Sequence, residues 1–242
     1  MFSDFLATCW DMVANQIAKT RYMTGGQVEL PLVIRTANGG GTRFGGQHSQ
    51  SLENWAMAIP GLKVVAPSTP RDVIGLMAAA VRDPDPVVFF EHKKLFSSKQ
   101  DVPDGEIIDQ LGEAKVRISG SDVTIVALAA MVPVAVNAAT LLKSSGVSAE
   151  VIDLRTLVPL DTKVILESVS RTGGLVTVEE NPRLCGWGAE ITSIVAEECF
   201  WQLDGPIVRV TTPHIPLPAA PELEDLAIPS PENVVEAVLR LR

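Results

Sequence analysis

From residue 123 onward, short apolar runs alternate with amphipathic stretches that end in glycine, and this alternation restricts the fold more than any other feature of the chain. Runs at 123–128, 149–154, 175–179 and 207–210 predict strands, and the stretches 132–145, 161–172 and 188–203 predict helices. Gly146, Gly173 and Gly205 close those helices, because glycine takes the left-handed backbone of a helix end at little cost. A last helix is announced by Ser230-Pro231-Glu232, which supplies a hydroxyl cap, a proline first turn and an acid at the positive helix end. Strands apolar on both faces and joined through helices require a parallel sheet covered on both sides. Residues 118–242 therefore predict a complete doubly wound α/β domain.

The front of the chain follows the same grammar but is shorter. A helical period at 2–23 (Phe2, Phe5, Leu6, Trp10, Val13, Ile17) ends at Thr24-Gly25-Gly26. Strands are predicted at 30–35, 62–66 and 87–91, and helices at 49–57 and from Thr69-Pro70 to residue 82. Residues 1–96 thus predict an incomplete α/β domain, and residues 97–117, with Asp101-Val102-Pro103-Asp104-Gly105, predict a linker. Too few strands leave a sheet edge and apolar surface bare, which predicts association into at least a dimer.

Composition excludes several classes. The net charge of −9 argues against nucleic acid as a partner, since phosphate neutralisation needs surplus Lys and Arg. No apolar run reaches the ~18 residues that cross a bilayer, so no membrane association is expected. The first residues carry Asp4 and Asp11 and no basic stretch, unlike a signal peptide. Three dispersed cysteines, Cys9, Cys185 and Cys199, fit free thiols in a reducing cytoplasm.

The most informative local feature is the loop Asn38–His48, with five glycines at positions 39, 40, 41, 45 and 46. It matches neither dinucleotide nor P-loop spacing, and reads either as a flexible connection or as a place of close backbone approach. His48 follows a strand and this loop, where α/β proteins place functional groups, but by its neighbours alone it reads equally as a surface or capping histidine. Glu179 and Glu180 read as a solvated strand end, or as paired carboxylates for acid/base work, and Glu197-Glu198 as a wet helix face. Asp83 and Asp85 in Asp-Pro-Asp-Pro fit a turn, or a hard-cation site completed by carbonyls. His92 and His214 show no partner.

Longer blocks carry a more specific signal. FSDF (2–5), QIAKTRYMTGGQ (16–27), LPLVIRT (30–36), GGQHSQSLENW (45–55), PGLKVVAPSTPRDVIGLM (60–77), DPVVFFEHKKLF (85–96), SDVTIVAL (121–128), EVIDLRTLVPLD (150–161) and GAEITSIVAEECF (188–200) occur in one order across essentially the whole chain. They resemble the beta subunit of the thiamine-diphosphate-dependent decarboxylating component of 2-oxo acid dehydrogenase complexes, the pyruvate, acetoin and branched-chain type. The resemblance implies a transketolase-like pyrimidine-binding domain followed by a transketolase C-terminal-like domain. It further implies α2β2 heterotetramers with beta–beta contact, docking to a lipoyl acyltransferase core, and thiamine diphosphate shared with an alpha subunit that carries the magnesium.

Residue by residue, Phe5 matches the aromatic position beside the aminopyrimidine ring. His48 matches the active-site histidine that helps receive the lipoyl group. Leu32, Ala80, Val81, Asp83 and Asp85 match a structural potassium site built mainly from backbone carbonyls. Asp85 stands where related chains often have Asn. The family also implies several dozen residues ahead of FSDF, including a glutamate that bonds the pyrimidine. No acid here stands at that position, so the expectation is an N-terminally shortened beta subunit, inactive alone. A non-catalytic assembly module that docks an alpha-like or acyltransferase partner is the alternative expectation.

Overall fold

The computed structural model describes residues 1–241. The helical period at the front produces three consecutive short pieces rather than one α-helix: a 3-10 stretch Ser3–Cys9, a π-helical turn Met12–Ile17 and α1, Thr20–Met23. The chain then forms β1 (Val33–Asn38), α2 (Glu53–Met57), β2 (Lys63–Val65), α3 (Pro70–Arg82) and β3 (Val87–His92). The first strand begins later than the apolar run, because Pro31 has no N–H to donate to a ladder. Helix α2 begins at Glu53 rather than residue 49, because the preceding backbone is engaged elsewhere. Gln50 O accepts from Gly39 N at 3.0 Å, and Leu52 N donates to Asn38 Oδ1 at 3.1 Å. Thr69 caps α3 by accepting from Asp72 N, with Pro70 in the first turn as expected.

The second half contains β4 (Lys115–Ile118), β5 (Val123–Ala127), α4 (Met131–Ser144), β6 (Ala149–Asp153), β7 (Thr156–Val158), α5 (Thr162–Thr172), β8 (Leu175–Pro182), α6 (Trp187–Glu198), β9 (Val208–Thr212), α7 (Pro221–Ala227) and α8 (Pro231–Leu239). Its sheet runs β4-β6-β5-β8-β9, parallel except for β4. β5 is buried at every position, with Val123, Ile125 and Ala127 packed with α4 and α8 on one face. Val126 faces the other side with Ile165, Val169 and Ile191 of α5 and α6. This is the doubly wound arrangement expected. β4 begins at Lys115, inside the segment read as linker, and its polar alternation concealed it as an antiparallel edge strand. The proline-rich stretch 213–229 holds α7, with Pro221 at the first turn where its missing N–H costs nothing.

The two halves are not independent. The first sheet runs β1-β3-β2-β7, and β7, from beyond residue 150, pairs antiparallel with β2. A strand of the later sequence therefore fills out the short first sheet. At its other edge Phe2 makes a parallel bridge to Ala37 of β1. One apolar cluster spans both sheets, joining Val64, Val88 and Phe90 to Val126, Ile152 and Ile191. Each such fully buried side chain contributes roughly 2 kcal/mol.

A buried ion network joins the halves on their polar side. Asp72 of α3 and Asp153 of β6 are fully buried, and Arg117 of β4 contacts both, 2.6 Å from Asp153 Oδ2. Arg155, also buried, donates to Asp109 Oδ2 at 2.8 Å and to Glu113 O at 2.9 Å, while Arg71 of α3 pairs with the same Asp109. The connecting segment is thereby fastened to both domains. No helix among the described residues is long and apolar enough to cross a membrane, and Cys9, Cys185 and Cys199 are free.

Candidate functional site

β1 and β3 are parallel neighbours, so their carboxyl ends deliver two segments to one place, the usual location of sites in such sheets. These segments are the Gly-rich loop after Asn38 and the turn Lys93–Leu95 after His92. They touch: a Cβ on Gly39, whose φ is +85°, would lie 2.0 Å from His92 Nε2. Only glycine fits there, which explains one of the loop's five glycines by close approach.

The loop's backbone N–H groups are occupied by carboxylates of the chain itself. Gly40 N donates to Glu180 Oε1 at 2.6 Å, Gly41 N to Glu224 Oε1 at 2.9 Å, and Arg43 N to Glu224 Oε2 at 3.1 Å. The Arg43 guanidinium also reaches Glu224 at 3.0 Å and Asp225 at 2.8 Å. Such a row of amides is an anion cradle, and here two buried glutamates from β8 and α7 fill it. The sequence alone does not single out Glu224, and it places Glu180 at a solvated strand end. Glu180 accepts further from Ser51 Oγ at 2.8 Å and meets His92 Nε2 at 3.0 Å. Burial alone would raise its pKa, but the charge and hydrogen bond of His92, with those of Gly40 and Ser51, pull it down to about 2. Nearby Glu53, which accepts from Asn38 Nδ2 at 2.7 Å and Asn181 Nδ2 at 3.2 Å, is pushed up by burial.

The solvated strand end expected at Glu179 and Glu180 is therefore corrected. β8 continues to Pro182, and both side chains are buried. Glu179 pairs with Arg209 of β9 at 2.8 Å and accepts from Gly188 N at 2.8 Å. Each finds its partner on another strand, Arg209 for Glu179 and His92 for Glu180, which local composition does not reveal. His92 likewise has its partner 88 residues away. Glu197 and Glu198 are exposed, as expected.

The FSDF segment is pinned onto this loop. Ser3 Oγ donates to Asn38 Oδ1 at 2.7 Å, and Asp4 Oδ1 accepts from Gln50 N at 3.2 Å and Gln50 Nε2 at 3.0 Å. Phe5 and His48 are thereby brought together, with ring centroids 5.4 Å apart, and Phe2 lies 5.7 Å from His48 on the same wall. These rings line a cavity of about 590 Å3 with Arg35, Thr36, Glu91 and Phe96. Glu91 is its one carboxylate, and Arg35 holds it at 2.6 Å. The aromatic walls suit a flat heterocycle, and His48 stands where it can hydrogen-bond or pass a proton.

The residues expected to hold potassium surround the Asp83–Pro86 turn. Leu32 O accepts from Val87 N at 2.9 Å, and Ala80 O from Asp83 N at 3.3 Å. The carboxylates are engaged by cations of the chain. Lys63 Nζ lies 2.6 Å from Asp83 and 3.6 Å from Asp85, and Arg21 lies 2.8 Å from Asp85. Val81 is exposed. An ion placed there would draw on backbone carbonyls alone, and among the described residues no group of three or more His, Cys, Asp or Glu could hold a metal.

Comparison with known proteins agrees with this architecture. Residues 1–99 match the transketolase pyrimidine-binding domain and residues 112–234 the transketolase C-terminal domain. The chain is 45% identical, over its full length and 70% of the relative, to the acetoin:2,6-dichlorophenolindophenol oxidoreductase subunit beta of Bacillus subtilis. It is 46% identical, again over its full length and 74% of the relative, to the pyruvate dehydrogenase E1 component subunit beta of Rickettsia conorii. The chain belongs to the acetoin and pyruvate dehydrogenase beta-subunit family. Among solved structures, a split-gene transketolase, an inactive beta4 tetramer, superposes with a TM-score of 0.81 at 25% identity, covering 99% of this chain and 73% of that one. A transketolase mutant of Pichia stipitis shares the fold, with a TM-score of 0.70 at 18% identity, covering 100% of this chain and 33% of that one. Within this beta-subunit family the α/β fold of two transketolase-like domains is therefore the expected one, and it is the one observed.

Proposed function

We propose that this chain is the beta subunit of a thiamine-diphosphate-dependent dehydrogenase for pyruvate, acetoin or a related substrate. In this reading it forms one wall of a cofactor pocket that an alpha subunit completes. The observation that carries the reading is the convergence of Phe5 and His48 on one aromatic cavity at the carboxyl end of the first sheet. When bound, thiamine diphosphate supplies the carbanion-stabilising electron sink that amino-acid side chains lack. Phe2 and Phe5 would pack the cofactor's pyrimidine side and exclude water. His48 would hydrogen-bond the reacting oxygen or sulfur and move a proton during transfer of the acyl unit to a lipoyl group. The alpha subunit would bring the diphosphate and magnesium site, and a lipoyl acyltransferase core would receive the product. The proposed organisation is a pyrimidine-binding domain at 1–96 and a C-terminal-like domain from about 118, in an α2β2 assembly with contact between beta chains.

The 242-residue chain alone is expected to be inactive. The one acid lining the cavity, Glu91, is ion-paired with Arg35, so the pocket offers the cofactor no unpaired carboxylate. Substitution His48→Ala tests the assignment. With the cognate alpha subunit present, acyl transfer to a free lipoyl domain should fall about a hundredfold. Circular dichroism and the melting temperature should stay unchanged, since His48 makes no side-chain hydrogen bond that ties the fold together. Equal transfer rates in wild type and variant would remove His48 from the reaction. An intact assembly without any turnover would support the docking-module alternative.

A further inference from the structure

Lys93 opens the 3-10 turn directly after β3, at the same carboxyl sheet end as His48. Its side chain is buried, and Nζ has no hydrogen-bond partner. A buried ammonium without a hydrogen-bond partner is costly and is retained only where something compensates it. Burial lowers its pKa, opposed at longer range by Asp4, Glu180, Glu224 and Glu53. Nζ sits over an aromatic ring, 4.7 Å from the centroid of Phe2. A cation over a ring face is attracted to the ring quadrupole, most strongly when desolvated. Phe2 in turn packs edgewise against His48, centroids 5.7 Å apart, and tilts against Phe44 at 5.2 Å.

We propose that Lys93 is a positioning residue for His48, acting through Phe2. The ammonium fixes the plane of the Phe2 ring, and that ring forms the surface against which the imidazole is oriented. Backbone contacts hold the rest of the segment. Met1 O accepts from Ala37 N at 3.0 Å, and Ser3 Oγ donates to Asn38 at 2.7 Å, but no hydrogen bond can set a phenyl ring's rotation. To the packing against Phe44 and His48 the cation adds a directional attraction to the ring face.

The proposal rests on the reading of His48 as the acyl-transfer histidine, and the test separates the two. Lys93→Met keeps the apolar stem and removes the charge. With the cognate alpha subunit and a lipoyl domain, its kcat should fall about tenfold while KM for the lipoyl domain stays within about twofold. The melting temperature should hold or rise, because the desolvation cost of a buried cation is gone. Lys93→Arg, which also stacks on rings, should recover most of the rate. Trifluorinated phenylalanine at position 2 should slow the Lys93 protein more than Lys93→Met, since the part of its effect that depends on the cation is missing from the variant. A readout independent of turnover is the fluorine resonance of 4-fluorophenylalanine at position 2. It should shift or broaden in Lys93→Met and return in Lys93→Arg. An unchanged resonance, or a wild-type rate in Lys93→Met when His48→Ala is slow, overturns the proposal. A wild-type rate in His48→Ala instead overturns the reading beneath it.

Discussion

Glu180→Gln should lower the stability of the folded chain by about 3 kcal/mol, which is roughly 10 °C in melting temperature for a chain of this size. The carboxylate it removes faces His92 at 3.0 Å and holds Gly40 N at 2.6 Å, with all partners buried. An amide can still accept from Gly40, but it offers an N–H toward His92 and leaves the imidazole without its anion. The same residue makes the wild type acid-sensitive. Its folded pKa of about 2 lies below the ordinary value of 4.5, so the folded state binds fewer protons than the unfolded chain in that window. The stabilisation is full above about 4.5 and is lost as pH falls toward 2, and it amounts to about 3 kcal/mol. Urea titrations across that range should show the loss in wild type and a flatter profile in Glu180→Gln. Parallel profiles would mean that the pair contributes nothing. Because Glu180 clamps the loop that carries His48, acyl transfer should fall in the variant as well.

A comparable loss, about 3 to 5 kcal/mol, is expected for Asp72→Asn. Asp72 is fully buried, with Arg117 in contact, Arg155 at 3.5 Å, Lys115 at 3.7 Å and Arg71 at 3.9 Å. Asp109 and Asp153 are the other carboxylates of this network. Asparagine keeps the shape of the side chain but removes one of the three negative charges that balance these four cations. Arg155, buried beside it, keeps only the Asp109 carboxylate, which it shares with Arg71. Denaturant unfolding measures the effect directly. Since the network fastens segment 97–117 to α3 and β6, proteolysis within that segment should also accelerate. A loss below about 1 kcal/mol would show that the cations rearrange to water.

The fold was legible where burial alone decides it. β5, β6 and β8 are apolar on both faces because helices cover both, so their runs stand out. Asp161 and Ser230 announce α5 and α8 because capping is local. β4 and β7 were hidden because an edge strand and a strand of three residues carry little period. Of the candidate site, Phe5 and His48 were singled out only because they stand in blocks that resemble a known family, and their contact is seen in the structure alone. Glu180, Glu224 and Lys93 were not legible. Their roles arise from contacts across 88 to 183 residues, or from what Lys93 lacks, and neither leaves a mark on the neighbouring sequence. A strand ending in two carboxylates looks solvated until its histidine and arginine partners are placed in space.

The central claim is that this chain supplies one wall of a cofactor pocket and needs a partner to close it. Calorimetric titration of thiamine diphosphate with magnesium into the purified chain, into the cognate alpha subunit and into their complex tests it most directly. The account predicts tight binding to the complex alone, weakened at least about tenfold by Phe5→Ala through loss of aromatic packing. Equally tight binding to the isolated chain, or to a complex carrying Phe5→Ala, would contradict it.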